Sequence, residues 1–292
     1  MNTFEQPDLK NPFKTRSCNL RLEQKNTKKG RNGIRTRVLA PKWTTEAIRP
    51  AWNRAGGLKY TLMENSIAEN IEIIRQKISA AALRSGRRPG GITLVAVSKT
   101  VPADLIKAAH EAGVADFGEN RIQEAAGKIK TLPGLPIRWH FIGHLQTNKA
   151  KAAIDMGFEL IHTVDSVKLL TVLEEHAKKT GKSQRALVEV KLSEEPSKHG
   201  TSEEGLLELL RAAEGAEHIK IEGLMGMPPY FQEAERARPY FARLRALKEK
   251  AEKSGCMLQH LSMGMSHDFE IAIEEGATLV RIGTAIFGGQ MA

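Results

Sequence analysis

The sequence predicts an α/β fold, a single (β/α)8 TIM-type barrel with an N-terminal capping helix. From residue 66 onward, apolar strand-like segments alternate regularly with helical patterns. Eight strands in about 230 residues is the count and size of such a barrel. The strand segments are apolar on both faces, as is typical of a parallel sheet covered by helices.

The first predicted element is an amphipathic helix over residues 66–85. Ser66 and Glu69 form a capping box, and four isoleucines between residues 67 and 78 recur at helical spacing. Because the chain stops soon after the last predicted strand, we expect this helix to cover the gap left by a missing final helix.

The remaining elements follow in strict alternation. The predicted strands are 92–99, 115–120, 138–144, 160–165, 185–192, 219–227, 258–265 and 278–288. The predicted helices are 102–112, 121–130, 146–156, 166–180, 203–213, 232–254 and 267–275. A doubly wound sheet would usually have fewer strands and a glycine-rich turn after the first, where SKTVP stands here.

The basic character of the chain is confined to its first 62 residues. They hold 14 Lys and Arg against 4 Asp and Glu, whereas the remainder holds 30 of each. The formal net charge of +10 therefore does not describe the predicted barrel, which argues against a nucleic-acid-binding domain.

The sequence divides into a basic tail, residues 1–62, and a barrel, residues 63–292. The tail shows no helical or alternating periodicity. It could be a disordered basic tail, upstream sequence lying before a true start at Met63, or a transit peptide. These three interpretations stay open, and the tail takes no part in the fold prediction.

Composition indicates a cytoplasmic protein without a membrane span. No apolar stretch reaches the length that a span needs. Two cysteines, Cys18 and Cys256, give no disulfide framework, which suits a reducing compartment.

Lys99 stands at the end of the first predicted strand, where active sites of such barrels are built. On parity it shares a side with Val95 and Val97, so its amine is expected to project into the barrel mouth above a dry core. Desolvation favours the neutral amine, which is the form that makes a Schiff base. The alternative is an ordinary solvated lysine at a strand end.

Two further loops have the composition of a phosphate site. SMGMS (262–266) and RIGT (281–284) follow the seventh and eighth predicted strands, where barrels often bind phosphate. Gly264 and Gly283 allow close backbone approach, while Ser266 and Thr284 offer hydroxyls. Two ordinary glycine- and serine-containing loops are the alternative.

Arg281 lies inside an apolar strand, so its charge needs a partner. Either it meets a carboxylate such as Glu222 or Asp165, or it faces a bound ligand, and the sequence leaves both open.

Other candidates carry little chemistry. His140 and His144 share a face of one predicted strand, but no third metal ligand is indicated, so both are interpreted as satisfied core or mouth histidines. Cys256 has no partner that would activate it and is interpreted as structural. The methionines, Met225 among them, are expected to serve barrel packing first and ligand contact second.

Taken together, the segments AVSKT, FGEN, WHFIGHLQTNK, SKHG, EGLMGMP and LSMGMSHDFEIAIEEGATLVRIGTAIFG carry a specific resemblance. In this order, from about Met63 to Gly288, the chain resembles the pyridoxal phosphate homeostasis proteins, single-domain relatives of the alanine racemase barrel. One departure is mild, since SHD stands where SDD is common, which leaves Asp268 in place.

The resemblance implies a set of cofactor-binding residues and no catalytic or metal-binding ones. Lys99 would form the internal aldimine with pyridoxal 5′-phosphate (PLP), and Arg281 would face the pyridine nitrogen. The phosphate would be held by Ser266, Gly283 and Thr284, with Ser262 nearby. Asn120 and His140 match motif residues close to the cofactor, and Met225 would lie in the loop beneath it.

These implied roles predict tight PLP binding with little or no catalytic turnover. A charged arginine beside the pyridine nitrogen disfavours protonation of the ring and weakens it as an electron sink. The racemase relatives also supply a second base from a C-terminal domain that this chain lacks, and racemisation needs groups on both faces. The resemblance thus implies intracellular PLP homeostasis.

Two other functions stay open at this point, a weakly active PLP-dependent enzyme such as an amino-acid racemase, and a cofactor-free Schiff-base aldolase. The expected partners are PLP and apo forms of PLP-dependent enzymes, and a monomer is expected because no extra interface element is evident.

Overall fold

The computed structural model describes residues 56–193 and 199–288, with side chains from Ser66 onward. Eight parallel strands close into a barrel in which each strand pairs with the next along the chain and the last pairs with the first. The strands are β1 Thr93–Val97, β2 Asp116–Glu119, β3 Arg138–Phe141, β4 Leu160–Val164, β5 Gln184–Val190, β6 Ile219–Gly226, β7 His260–Ser262 and β8 Leu279–Ile282. The predicted (β/α)8 barrel is confirmed.

Helices surround the barrel. They are α1 Gly56–Arg84, α2 Ala103–Glu111, α3 Ile122–Thr131, α4 Ala150–Met156, α5 Val167–Thr180, α6 Glu203–Glu214, α7 Arg238–Lys253, α8 Phe269–Glu274 and α9 Thr284–Phe287. Short 3-10 turns cover Pro89–Gly91, Thr147–Lys149 and Ala234–Ala237. None of the helices in these described ranges is long and apolar enough to cross a membrane.

The strands bury both faces, as their continuous apolar sequences predict. A small interior cluster fills the barrel with residues from five strands, namely Val95, Leu160, Leu187, Met225 and Leu279. The opposite faces join a larger core beneath the surrounding helices. Because the interior cluster and the helices cover the two faces of the sheet, polar side chains can contact a ligand at the ends of the strands.

The N-terminal helix has the predicted position but a different start. It packs on α2, α8 and α9, and its isoleucines at positions 67, 71, 74 and 78 are buried. The predicted start at Ser66 is wrong, because α1 already begins at Gly56. No proline interrupts the sequence between these two positions, so the capping box lies inside a continuous helix.

The last predicted strand, 278–288, is also wrong in its second half. The strand ends at Ile282, and Thr284–Phe287 form the helical turn α9. A short apolar run such as TAIF fits a buried strand and a buried helical turn equally well, so periodicity alone does not separate them.

An ion-pair network joins α1, α7 and α8 on the outside of the barrel. Arg238 Nη2 lies 2.7 Å from Glu274 Oε2, and Arg238 Nη1 lies 2.9 Å from Glu275 Oε1. Arg84 of α1 donates to the other oxygen of Glu274 at 2.8 Å. The network therefore holds the C-terminal end of α8 against α1 and α7.

Replacing Arg238 by glutamine is expected to lower the free energy of unfolding by about 1–2 kcal/mol at pH 7. The hydrogen bond from Arg238 lowers the pKa of Glu274 below 4.5, against the opposing effect of desolvation, and Arg84 adds to the lowering. A carboxyl pKa lowered by folding stabilises the protein above its unfolded value, and this stabilisation is lost as the pH falls through the folded value.

Urea unfolding experiments measure the free energy of unfolding of wild type and of Arg238→Gln. The difference between these two free energies should become smaller as the pH falls below 4.5. Arg211→Gln, on the exposed face of α6, serves as the matched control. An equal loss of stability in both variants at pH 7 would contradict the role of the network.

Candidate functional site

A cavity of about 320 Å³ opens at the carboxyl ends of the strands, where the loops after β1, β2 and β8 meet. These loops are neighbours because β1 pairs with β2 on one side and with β8 on the other. The lining includes four residues that the sequence singles out, namely Lys99, Asn120, Gly283 and Thr284. The closed barrel thus brings together residues that lie up to 185 positions apart along the chain.

Lys99 follows β1 in a turn whose backbone is held by side chains of β2 and α3. Ser98 is buried and donates from Oγ to Glu119 Oε1 at 2.5 Å. Lys128 of α3 donates from Nζ to the carbonyl oxygen of Ser98 at 2.6 Å and to Glu119 Oε1 at 2.7 Å. These contacts fix the peptide that joins Ser98 to Lys99.

The expectation that the Lys99 amine is desolvated above a dry core is wrong. The strand ends at Val97, and the Lys99 side chain is exposed, so the desolvation argument is not supported. The next residue, Thr100, has φ of +62°, a left-handed conformation that a β-branched residue rarely adopts. Backbone strain of this kind is found at sites where the surrounding structure imposes a particular geometry.

Asn120, one of the residues that line this cavity, has an unsatisfied acceptor. Its Oδ1 atom is buried and has no hydrogen-bond partner among the described residues. Leaving a buried polar atom without a partner costs about 1–3 kcal/mol. A polar ligand in the cavity would remove this cost.

The loops after β7 and β8 lie side by side, as the sequence predicts for a phosphate site. Ser266 Oγ accepts a hydrogen bond from the Ala285 backbone N–H at 3.3 Å, which ties one loop to the other. Gly283 lies against Val97, and an added Cβ would be 3.3 Å from the Val97 Cβ and carbonyl oxygen. Small residues and hydroxyls in this cradle fit the binding of an anionic group.

Gly264 is required by both its backbone and its surroundings. Its φ is +91°, and an added Cβ would lie 2.6 Å from the Ala272 Cβ, well inside van der Waals contact. Its carbonyl oxygen accepts a hydrogen bond from the Arg281 backbone N–H at 3.0 Å. This glycine therefore lets the β7 loop lie directly on α8 and β8.

Gly264→Ala is expected to lose about 1–3 kcal/mol more stability than Gly276→Ala. Gly276 has a similar φ of +105°, but its nearest neighbour for an added Cβ is a flexible arginine side chain 3.5 Å away. The pair thus separates the steric clash from the backbone strain that both alanines share. Chemical unfolding measures the free energy of unfolding that each variant loses. Equal losses in the two variants would contradict the close packing of the β7 loop on α8.

Arg281 is buried inside the barrel, and neither predicted carboxylate contacts it. Its Nη1 donates to Ser262 Oγ at 2.5 Å, and its Nη2 donates to the carbonyl oxygen of Gly226 at 3.3 Å. Glu222 instead pairs with Arg185, and Asp165 lies beside His144. Desolvation lowers the pKa of Arg281 to about 10, so the guanidinium stays charged at neutral pH.

His140 and Met225 lie deeper in the barrel than the cavity lining. His140 is buried, with Nε2 3.0 Å from Asp116 Oδ1 and Nδ1 3.0 Å from His162 Nε2. Met225 belongs to β6 and to the interior cluster, so its predicted loop position is wrong. His144, predicted on the same strand as His140, lies beyond the end of β3.

Sequence reasoning missed His162 and Asp116. Both are buried polar residues of barrel strands, His162 in the middle of β4 and Asp116 at the start of β2, and both contact His140. The only sequence signal for His162 is its place in a mostly apolar strand, because a buried polar residue must find a partner there, and Asp116 has no such signal.

Two other predictions can be placed. Cys256 is partly buried, and desolvation, with a contribution from Glu214, raises its thiol pKa, which agrees with a structural role. In the SKHG segment, Ser197 and Lys198 lie outside the described residues, as do residues 1–55 of the predicted tail.

The fold and the site define a barrel of the racemase class, and comparison with known proteins confirms it. The family model for "Alanine racemase, N-terminal domain" matches residues 64–291. The "Pyridoxal phosphate homeostasis protein" of Aquifex aeolicus is 42% identical over 221 residues, covering 75% of this chain and 96% of the relative. The protein of the same name from Escherichia coli K12 is 40% identical over 233 residues, covering 77% and 97%.

A solved structure agrees with these relatives. PipY of Synechococcus elongatus, described as having PLP bound, is 35% identical with a TM-score of 0.66, covering 76% of this chain and 100% of PipY. The chain belongs to the pyridoxal phosphate homeostasis protein family.

Proposed function

We propose that this protein binds PLP at the barrel mouth and acts in intracellular PLP homeostasis. The observation that carries the proposal is the cavity in which Lys99 meets Asn120, Gly283 and Thr284. The relatives named for PLP homeostasis, and the PipY structure described with PLP bound, support the same cofactor.

Each part of the site suits one part of the cofactor. The ε-amine of Lys99 would condense with the PLP aldehyde, forming a carbon–nitrogen double bond with loss of one water. Ser266, Gly283 and Thr284 would hold the phosphate, with Ser262 nearby. Asn120 would supply its unsatisfied Oδ1 as an acceptor toward a polar group of the cofactor.

Arg281 would face the pyridine nitrogen, with His140 and Met225 below it. Ser262 and Gly226 hold the guanidinium at the mouth side of the interior cluster. When bound, PLP supplies an electron-withdrawing ring. A charged guanidinium beside the ring nitrogen disfavours its protonation and so limits that capacity.

The cavity also supports the proposal of little or no turnover. Apart from Lys99, the titratable residues among its described lining are Arg121 and Glu124. Arg121 Nη1 lies 3.3 Å from Glu124 Oε1, so the carboxylate is already paired with a cation. Proton transfer on both faces of an amino acid would need a second free acid or base.

The proposal is tested by reconstituting the purified full-length chain with PLP. We expect a yellow protein whose visible band disappears on borohydride reduction, with the reduced cofactor on the tryptic peptide that contains Lys99. A colourless protein that PLP does not reconstitute would overturn the proposal and favour a cofactor-free lysine aldolase.

Turnover is tested separately, by following deuterium exchange at Cα of L- and D-alanine in heavy water. We expect exchange far below the median enzymatic turnover of about 10 s⁻¹. Exchange at enzyme-like rates would favour a racemase, the activity that the family model names. Mixing the loaded protein with apo forms of PLP-dependent enzymes, and recording their recovered activity, tests delivery of the cofactor.

A further inference from the structure

A hydrogen-bonded chain of buried side chains crosses the barrel interior from Arg281 to Asp116 at the amino-terminal end of the strands. Ser262 Oγ contacts Arg281 Nη1 at 2.5 Å and His162 Nδ1 at 2.8 Å. His140 then contacts His162 at 3.0 Å and Asp116 Oδ1 at 3.0 Å. We call these five residues the interior chain; each is buried.

The far end of the interior chain is anchored by an ion pair. Arg138 donates from Nε and Nη2 to the two oxygens of Asp116, at 2.7 and 2.6 Å. Both residues line a second cleft, of about 400 Å³, at the amino-terminal ends of β1, β2 and β3. Desolvation raises the pKa of Asp116, but the hydrogen bonds from His140 and Arg138 outweigh it and lower the net pKa. Asp116 is therefore ionised and can only accept hydrogen bonds.

The two charged ends determine where the hydrogens of the chain lie. A guanidinium has no acceptor, so Ser262 Oγ must accept from Arg281 and is free to donate its own hydrogen to His162 Nδ1. Desolvation, together with the charge of Arg281, holds the pKa of His162 well below its usual value, so this imidazole is neutral.

A neutral His162 that accepts at Nδ1 carries its hydrogen on Nε2 and donates it to His140 Nδ1. His140 in turn carries a hydrogen on Nε2, which it donates to the ionised Asp116. With no added proton on either ring, this is the one arrangement that satisfies all four contacts. Every bond of the interior chain then points from Arg281 toward Asp116.

We propose that Asp116 is a positioning residue for Arg281, acting through His140, His162 and Ser262 from the opposite end of the barrel. The inference rests on the proposed function, in which Arg281 faces the cofactor ring. The carboxylate keeps the Ser262 hydrogen directed at His162, so that Oγ accepts from Arg281 alone and does not also receive a hydrogen from His162.

Asp116→Asn provides the test because asparagine keeps the shape and can reverse the direction of the chain. With its amide nitrogen at the position of Oδ1, asparagine loses the acceptor for Arg138 Nε but can donate to His140 Nε2, which moves the His140 hydrogen to Nδ1 and in turn the His162 hydrogen to Nδ1. Ser262 Oγ would then receive two donors, and its own hydrogen would be displaced from His162. If the interior chain served packing alone, the direction of its hydrogen bonds would not matter for the position of Arg281.

The first measurement uses the full-length chain without cofactor, labelled with ¹⁵N-histidine. Long-range ¹H–¹⁵N correlation spectra report which ring nitrogen carries the hydrogen, and His140→Gln and His162→Gln assign the two signals. We expect the Nε2–H form for both residues in wild type and the Nδ1–H form in Asp116→Asn. A wild-type His162 with its hydrogen on Nδ1 would overturn the proposal even if the variant fails to fold.

The second measurement titrates the chain with PLP and records the visible absorption. We expect Asp116→Asn to bind about tenfold more weakly than wild type, with a displaced absorption maximum. Glu222→Gln is the matched control, since it removes a carboxylate of the same barrel end that pairs with Arg185 outside the interior chain. We expect this control to keep the wild-type maximum and an affinity within about twofold.

An Asp116→Asn protein with wild-type tautomers, affinity and absorption maximum would overturn the inference while leaving the proposed function in place. A wild-type chain that binds no PLP would instead overturn the proposed function. The tautomers of the cofactor-free protein would then still decide whether Asp116 directs the interior chain.

Discussion

Replacing Lys99 by methionine is expected to abolish covalent PLP binding. Methionine is similar in length but has no amine to condense with the aldehyde, so the visible band and the borohydride-stable label should both disappear. The overall affinity for PLP should fall by about a hundredfold or more, which corresponds to about 3 kcal/mol, because only the non-covalent contacts remain. Absorption titration and mass spectrometry after reduction measure the two effects.

The folded structure should tolerate this substitution, because the Lys99 side chain is exposed and the contacts below it come from Ser98, Glu119 and Lys128. Lys107→Met, at an exposed position of α2, is the matched control and should leave binding unchanged. A reduced label that persists on another lysine of the Lys99→Met protein would contradict the assignment.

Replacing Arg281 by glutamine is expected to increase deuterium exchange at Cα of alanine at least about tenfold over the wild-type rate. The neutral amide removes the charge that opposes protonation of the pyridine nitrogen, so the ring becomes a better electron sink. The amide can still donate to Ser262 Oγ, which keeps part of the buried hydrogen bonding.

Arg281→Lys separates charge from shape in the same experiment. Lysine keeps the positive charge but loses the planar fork that now reaches both Ser262 and Gly226. We therefore expect weaker PLP binding without faster exchange. If exchange in Arg281→Gln stays at the wild-type rate while PLP remains bound, the charge of Arg281 does not limit turnover.

The positions of the barrel elements could be predicted because their signals are local. Most of the strands contain a short apolar run, as in β1, β4 and β8, and each intervening helix has its own periodicity. Errors fell at element ends, as at Gly56 and Ile282, because helix starts and short apolar runs have ambiguous local sequence. Packing of α9 against α1, through Asn70 and the Ile286 carbonyl, involves residues 216 positions apart.

The sequence by itself determined the barrel, the place of Lys99 after its first strand and the neighbouring glycine-containing loops after its last two. Parallel strands carry their carboxyl ends to one edge, so residues at those ends converge whatever the details of packing. The resemblance to the family could also be seen in the sequence, because its motifs are contiguous runs of residues.

Only the tertiary structure decided the partners of the buried polar groups. Arg281 meets a serine and a carbonyl group instead of a predicted carboxylate, and His162 reaches Ser262 across 100 positions of the chain. Such contacts depend on which side chains face each other across the closed barrel. That relation is set by strand register and tilt, which no local pattern of residues encodes.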